Sequence, residues 1–219
     1  MQIVNFYNNP NIGIFFYTTD KFTIIPTITP ENIKKELKTE LKTELVETNI
    51  YNSSAVSIFL AGDEKVLFAP NIINKDERKI LEKIKGIKLV ILDTKLNALG
   101  NNIIINKNTA FVNPNFEDKT VKMIEENGYK VVKGRIGGVD TVGANIVKFG
   151  DKALITPDAT NDEIKILNKE LGLECEKGMI NNSKIVKSGV IVNRNGMLIS
   201  NYAMGSEMLL LEELWRNGY

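Results

Sequence analysis

Short apolar runs recur along the chain at a nearly constant interval. Four of them end in proline, at Pro26, Pro70, Pro114 and Pro157, so the spacings are 44, 44 and 43 residues. A further step of 44 residues reaches Asn201, which ends the similar run MLISN. The chain has only 6 prolines, so four on one grid indicate five copies of one structural unit.

The residues around these anchors support the repeat. The column two positions before the anchor is apolar in every copy and contains Ile24, Phe68, Val112, Ile155 and Ile199. The column seven positions after it is apolar in four copies, and Glu77 interrupts it in the second. We expect a single domain, residues 1–219, whose repeats cover about 7–49, 50–93, 94–136, 137–180 and 181–219, the last closed by residues 1–6.

Each copy predicts a strand, a tight turn, a second strand, a helix and a third strand. In the fourth copy, residues 145–149 and 153–156 flank a glycine-containing turn, as in a β-hairpin. The following helix is predicted to start with Asn161 as its N-cap and to end at Gly172. Residues 173–177 then alternate apolar and charged side chains, which predicts a half-buried strand. The same pattern predicts third strands at 87–92 and 129–133.

The first copy has a longer helical pattern than the others. Leu37, Leu41 and Leu45 are spaced four residues apart with Lys and Glu between them, which predicts one helix over 31–45. Its duplicated KTEL segment fits either a solvated helix face or a charge-patterned interaction helix.

The second hairpin strands predict how the copies are arranged. Their three-residue apolar runs indicate burial on both faces, as in a central sheet covered by helices. The fifth copy has no third strand, while residues 2–6 form a spare one, so a closed ring would complete it and leave no exposed edge. We predict a five-fold pseudosymmetric α/β ring, with an open solenoid as the alternative.

Composition narrows the functional classes. Lys and Arg number 28 against 27 Asp and Glu, a net charge of +1 that indicates neither a nucleic-acid nor a membrane-surface protein. No run of about 18 apolar residues could span a bilayer, and the first residues do not resemble a signal peptide. The single cysteine, Cys175, fits a reducing compartment, so we expect a cytoplasmic protein.

The absence of histidine is the strongest chemical constraint. It removes Ser-His-Asp and Cys-His catalysis and histidine metal ligands, and one cysteine cannot build a cysteine-rich zinc site. Cys175 is predicted to be a buried structural thiol. The glycine-rich stretch 134–138 lacks the Lys-Ser/Thr of a phosphate-binding P-loop and is interpreted as a connection between repeats. We expect no catalytic residue, no metal and no cofactor, which favours a binding protein.

The loops that enter each hairpin are rich in Gly and Asn, which tolerate unusual backbone angles and close approach. They are residues 11–13, 48–54, 98–102 and 141–145. In a ring, pseudosymmetry would gather these loops at one end, so the sequence predicts a shared polar surface there.

At these loops the sequence resembles the archaeal and eukaryotic translation initiation factor 6 family of ribosome anti-association factors, and it looks like an archaeal member. The resemblance covers the whole chain and rests on segments 6–13, 48–56, 97–101, 141–145 and 205–214. It implies the pentein fold, a five-fold α/β propeller. The sequence departs from the family at Tyr51-Asn52, where the family tends to have two glycines, and at Ser57 and Lys187, where it usually has the entry glycine.

The resemblance also implies a function without chemistry. Family members bind the large ribosomal subunit on its intersubunit face, mostly through a ribosomal protein of the uL14 type near the sarcin–ricin loop, and block joining with the small subunit. A monomer with no membrane partner and no small-molecule substrate is expected. By resemblance, the ribosome-binding residues are Leu99, Gly100, Asn101, Gly143, Asn145, Asn49 and Ser53.

Two other classes compete with this interpretation. Pentein relatives include amidinotransferases and deiminases, but those enzymes use Cys and His with acidic partners, and this chain has no His. A non-ribosomal scaffold, or a binder of RNA or protein, remains open and is distinguished by salt-sensitive binding to naked RNA.

Overall fold

The computed structural model describes residues 1–219 and contains five three-stranded sheets. In each sheet the first and second strands form an antiparallel hairpin. The first strands are β2 (Tyr17–Thr18), β5 (Ala61–Gly62), β8 (Ile103–Asn106), β11 (Ile146–Phe149) and β14 (Val190–Asn193). The second strands are β3 (Phe22–Ile25), β6 (Val66–Pro70), β9 (Thr109–Val112), β12 (Lys152–Ile155) and β15 (Gly196–Ser200).

A helix follows each second strand, and the third strand then pairs parallel to the second. The five helices are α1 (Glu31–Leu41), α3 (Lys75–Leu81), α5 (Asp118–Glu125), α6 (Asn161–Leu171) and α7 (Gly205–Gly218). The third strands are β4 (Glu44–Glu47), β7 (Lys88–Leu92), β10 (Lys130–Lys133), β13 (Glu174–Lys177) and, for the fifth sheet, β1 (Gln2–Val4). Two single-turn helices, α2 (Val56–Phe59) and α4 (Leu99–Asn102), precede first strands.

The ring closes through the N-terminal strand, as predicted. β1 pairs parallel to β15 with Ile3 opposite Ile199. The side-chain amide of Asn193 donates to the carbonyl oxygens of Thr19 at 3.1 Å and Leu41 at 2.9 Å, which joins the fifth copy to the first. The fold is therefore a five-fold pseudosymmetric α/β ring, and the open solenoid is excluded.

The second strands carry the core, because both of their faces are covered. Leu67 and Phe68 in β6 and Leu154 in β12 have no exposed surface, and their neighbours along each strand are also buried. Each fully buried Leu or Phe side chain contributes about 2 kcal/mol to folding. The unbroken apolar runs thus correctly indicated burial on both faces.

The predicted helix over 31–45 is wrong at its C-terminal end. α1 stops at Leu41, and Lys42 takes the left-handed conformation with φ 53° and ψ 38°. Leu45 lies in β4 opposite Thr23 of β3. Two identical KTEL segments therefore adopt different structures, because the first sheet requires a third strand where helical periodicity alone predicts another turn.

One prediction about a helix start also needs correction. The N-cap of α6 is Thr160 and not Asn161, since the Thr160 hydroxyl accepts from the amide of Glu163 and the Glu163 carboxylate accepts in return. In the second copy Asn74 and Glu77 make the same capping box. Measured from the anchors Pro70 and Pro157, α3 begins one residue later than α6 does. Glu77 is thus the structural equivalent of Glu163, which explains why it interrupted the apolar column.

Cys175 is only half-buried on β13, and so less enclosed than expected. Its thiol points at the carbonyl oxygen of Leu173 across 3.7 Å, and burial raises its pKa to about 11. The thiol therefore stays protonated and unreactive near neutral pH. Among the helices, none has the length and apolar character needed to cross a bilayer.

Candidate binding site at the entry-loop end of the ring

Five short helical segments meet around the ring axis, one ahead of each first strand. We call them the entry segments: Ile12–Ile14, Val56–Phe59, Leu99–Asn102, Val142–Ala144 and Val186–Gly189. Each contacts the next around the ring. Loops 11–13, 98–102 and 141–145 gather at one end as predicted, and we call this the entry-loop end. In the second copy the prediction was wrong, because residues 48–54 form the turn before the entry segment Val56–Phe59.

Glycine allows this close approach in three of the five entry segments. A Cβ added at Gly100 would lie 2.6 Å from the carbonyl oxygen of Leu60, and one at Gly143 would lie 2.7 Å from that of Ile103. Gly13 is related in the same way to Val190, at 2.7 Å. These distances are shorter than any real Cβ contact, so each glycine packs directly on the backbone of the neighbouring copy.

Three cavities follow one another along the axis. The entry-loop cavity, of about 430 Å³, opens between the entry segments. The axial cavity, of about 160 Å³, is lined mainly by apolar residues of the first strands. The hairpin-turn cavity, of about 330 Å³, opens at the other end, which we call the hairpin-turn end. Lys187 lines the first two cavities and Lys148 the last two.

The lining of the entry-loop cavity is polar but nearly uncharged. It contains no Asp or Glu, and Lys187 is its one charged side chain. Its other polar lining residues are Asn11, Ser57, Asn101, Thr141, Ser183 and Ser188. A surface of amides and hydroxyls with a single cation suits hydrogen bonding to a partner more than broad electrostatic attraction.

Lys187 crosses the axis. Its ammonium group leaves the fifth copy and donates to the carbonyl oxygen of Gly100 in the third copy at 2.6 Å. Burial lowers the pKa of Lys187 to about 8, because no carboxylate compensates the loss of water. The ammonium therefore remains mostly protonated at neutral pH.

The hairpin-turn end has the opposite character. Its cavity is lined by four carboxylates, from Asp20, Asp63, Glu64 and Asp151, together with three cations, from Lys107, Lys148 and Arg194. Four of these seven charges form two ion pairs, Arg194 with Asp20 at 2.7 Å and Lys107 with Asp151 at 3.2 Å. This end therefore holds charges of both signs close together.

The structure brings together three of the residues predicted to form the site. Gly100 and Gly143 lie in adjacent entry segments at the axis. Asn101 is half-exposed and lines the entry-loop cavity, and its side chain has no hydrogen-bond partner within the protein. An unsatisfied amide at the surface is available to a partner.

The other four predicted residues are placed differently. The Leu99 side chain is fully buried in a core cluster, and Asn145 is 7% exposed with its amide directed at the carbonyl oxygens of Ile136 and Thr141 at 3.4 Å. Asn49 and Ser53 lie outside the cavity lining. Asn49 accepts from Thr27 at 3.1 Å, so it fastens the connection between two copies.

Two residues of the opening were set aside by sequence reasoning. Ser57 and Lys187 occupy the column of Gly13, Gly100 and Gly143 at the same spacing of 43 or 44 residues. That spacing was a sufficient signal that both would face the axis. From the sequence they are identified only as departures from the family pattern, because neither is a glycine.

The turns between copies are occupied by carboxylates of the chain itself. Gly137 and Gly138 donate their amides to Glu163 at 3.1 and 3.4 Å, which confirms that the glycine-rich stretch is a connection. Asn181 and Asn182 donate in the same way to Glu207, both at 3.0 Å. These amides are therefore not available to phosphate. No group of three or more His, Cys, Asp or Glu side chains is arranged to hold a metal ion.

Solved structures define the class of fold as the pentein ring. DDAH from Pseudomonas aeruginosa, a C249S mutant complexed with citrulline, is 14% identical with a TM-score of 0.53, covering 81% of this chain and 71% of that one. The N-terminal domain of ArgZ, an arginine dihydrolase from cyanobacteria, is 11% identical with a TM-score of 0.53 over 86% and 72% of the two chains. At these identities the likeness shows the fold alone.

The chain belongs to the eIF-6 family, whose model matches residues 1–214. Translation initiation factor 6 of Saccharolobus solfataricus is 32% identical to it and covers 97% of each chain. Translation initiation factor 6 of Sulfolobus acidocaldarius is 30% identical over 95% of this chain and 96% of its own. Both relatives are archaeal.

Proposed function

We propose that this protein is a translation initiation factor that binds the large ribosomal subunit on its intersubunit face and prevents the small subunit from joining. The carrying observation is family membership along almost the whole length, residues 1–214, shared with relatives named translation initiation factor 6. Such a factor works in the cytoplasm, where the subunits are.

The entry-loop end is the proposed binding face, with Asn101 as its central contact and Gly100 and Gly143 shaping it. The absence of carboxylates from its cavity lining supports this choice, because a partner meets no negative charge there. Asn49 and Ser53 are proposed as contacts at the periphery, while Leu99 and Asn145 hold the entry segments from within.

The size of the molecule suits steric exclusion. A standard interface takes about 800 Å² from each partner, which is less than a tenth of the 10035 Å² accessible surface of this chain. Most of the ring would therefore project from the subunit as an obstacle. We propose that the whole chain, residues 1–219, acts as one domain in this role.

The charge balance favours a protein partner over bare RNA. A net charge of +1 offers little counterion release, which is the main source of affinity for nucleic acid. A ribosomal protein of the uL14 type near the sarcin–ricin loop fits better as the main contact.

The proposed function requires no catalysis, and the chain has few side chains suited to it. It contains no histidine, and Cys175 lies on a third strand with its pKa raised by burial. We therefore infer a non-enzymatic factor without a cofactor. We also propose that it acts as a monomer.

Co-sedimentation with purified archaeal 50S and 30S subunits tests the proposal. We expect selective binding to 50S and a concentration-dependent loss of 70S particles when 30S is added. Binding to neither subunit would contradict the proposal and favour a non-ribosomal scaffold. Salt-sensitive binding to naked ribosomal RNA at equal affinity would favour a general RNA binder.

A further inference from the structure

The half-buried ammonium group of Lys187 has no carboxylate partner, which points to a ligand. An ammonium group has three donors, and Lys187 uses one, on the neutral carbonyl oxygen of Gly100. Neither cavity that it lines contains a carboxylate. A buried charge without a partner is costly, so a counter-ion at this position would stabilise the fold.

The groups around Lys187 are suited to hold such a counter-ion. Ser57 and Asn101 line the same entry-loop cavity, and neither side chain has a hydrogen-bond partner within the protein. Together with the ammonium they offer N–H and O–H donors to an oxygen ligand. The cavity of about 430 Å³ is open at the entry-loop end, so a small molecule can enter.

We propose that the floor of the entry-loop cavity is a binding site for one small oxyanion, of the carboxylate or phosphate kind, held by Lys187 with Ser57 and Asn101. The site shares Asn101 with the proposed ribosome-binding face, but it needs no ribosomal component, because all three residues belong to this chain.

Lys148, the other axial lysine, explains why the anion belongs at Lys187. Its ammonium donates to the carbonyl oxygen of Ile105 and to the side-chain oxygen of Asn106 at 3.3 Å. It is also attracted electrostatically by Glu64, Asp63 and Asp20 of the hairpin-turn end. Those carboxylates partly compensate Lys148 and would repel an anion. Among the residues lining the entry-loop and axial cavities, Lys148 and Tyr17 are the only other titratable groups.

The test uses the isolated full-length protein labelled with ¹³C at lysine Cε and titrated with acetate or inorganic phosphate at constant ionic strength. We expect a saturable shift of the Lys187 Cε resonance with at least one of the two probes. The two titrations show whether the site prefers a carboxylate or a phosphate. In each, the Gly100 amide should shift with the same midpoint.

Lys187→Gln removes the charge but keeps a donor for Gly100, and Lys187→Met removes both. We expect either variant to lose at least tenfold in affinity, measured on the Gly100 amide. Lys184→Met is the matched control, since Lys184 lies on the surface of the same loop and pairs with Asp158 at 2.8 Å. It should bind as the wild type does.

Absence of a saturable shift with both probes would overturn the proposal. A saturable shift of the Gly100 amide that persists in Lys187→Gln would also overturn it, because the anion would then bind without Lys187. Neither result depends on ribosome binding, so failure here leaves the proposed function standing.

Discussion

The two ends of the ring are built from the same repeat but differ in the number and sign of the charged side chains that line their cavities. At the hairpin-turn end, four carboxylates and three cations line one cavity, and four of these seven groups form two ion pairs. At the entry-loop end, the lining has one cation, Lys187, among amides and hydroxyls. The first end therefore balances charges of both signs, whereas the second end has one cation and side-chain donors without a partner in the protein.

Packing differs between the ends as well. The entry segments touch backbone to backbone through Gly13, Gly100 and Gly143. In these three copies no side chain reaches the axis, and the side chains that do so from the same column are Ser57 and Lys187. The shape of the opening therefore depends on the missing side chains as much as on those present.

The largest effect is expected from filling that contact. Gly143→Val would place a side chain against the carbonyl oxygens of Gly100 and Ile103, and overpacking of this kind costs about 3 kcal/mol. Urea unfolding would measure the loss. Gly205→Ala is the control, since nothing lies within 4 Å of its added Cβ. Equal stabilities for the two variants would show that the entry segments are not tightly packed.

The second prediction concerns the uncompensated charge. Because burial lowers the pKa of Lys187 to about 8, the folded state binds fewer protons than the unfolded state between about pH 8 and 10.4. The penalty is present in full below pH 8 and is relieved above it. At low anion concentration, the stability of the wild type relative to Lys187→Met should rise by about 2 to 3 kcal/mol from pH 7 to pH 10.

Chemical denaturation of both proteins at each pH would measure that difference. Lys184→Met should follow the wild type throughout. A stability difference that does not change with pH would mean that the Lys187 charge is already compensated, and the contrast between the ends would disappear.

The third prediction separates two adjacent asparagines of the entry-loop end. Asn102 is 4% exposed, donates to the carbonyl oxygen of Ala98 at 2.8 Å and accepts from Asn113 at 2.7 Å. Asn102→Ala should cost about 2 kcal/mol, because it leaves the buried amide of Asn113 without a partner. Asn101→Ala should change stability by less than about 0.5 kcal/mol. Thermal unfolding of both variants checks this, and a reversed order would contradict the assignment of Asn101 to the surface.

Much of the fold could be predicted, because burial repeats along the chain. The column of Ile24, Phe68 and their equivalents lies on the buried second strands, and its spacing located all five sheets. The end of α1 could not be predicted, since Lys42 adopts a left-handed conformation that its sequence does not signal. There the pairing of Leu45 with Thr23 overrides helical periodicity.

The gathering of the entry loops could be predicted, but the orientation of their individual side chains could not. Gly and Asn located the entry-loop end correctly, yet residue type does not distinguish Asn101, which faces solvent, from Asn145, which faces the backbone. That difference depends on the direction of each side chain after packing. Lys187 was not predicted to be a site residue for another reason, since a lysine is usually solvated. Only its position in the column of Gly13, Gly100 and Gly143 indicated that it lies at the axis.

The binding face can be located by adding one positive charge to each end of the ring in turn and measuring the affinity for the 50S subunit. Asn101→Lys alters the entry-loop end, and Asn108→Lys makes the same change at an exposed turn of the hairpin-turn end in the same repeat. We predict at least tenfold weaker binding for Asn101→Lys and unchanged binding for Asn108→Lys, with both proteins folded. Weakened binding only for Asn108→Lys, or unchanged binding for both, would contradict it.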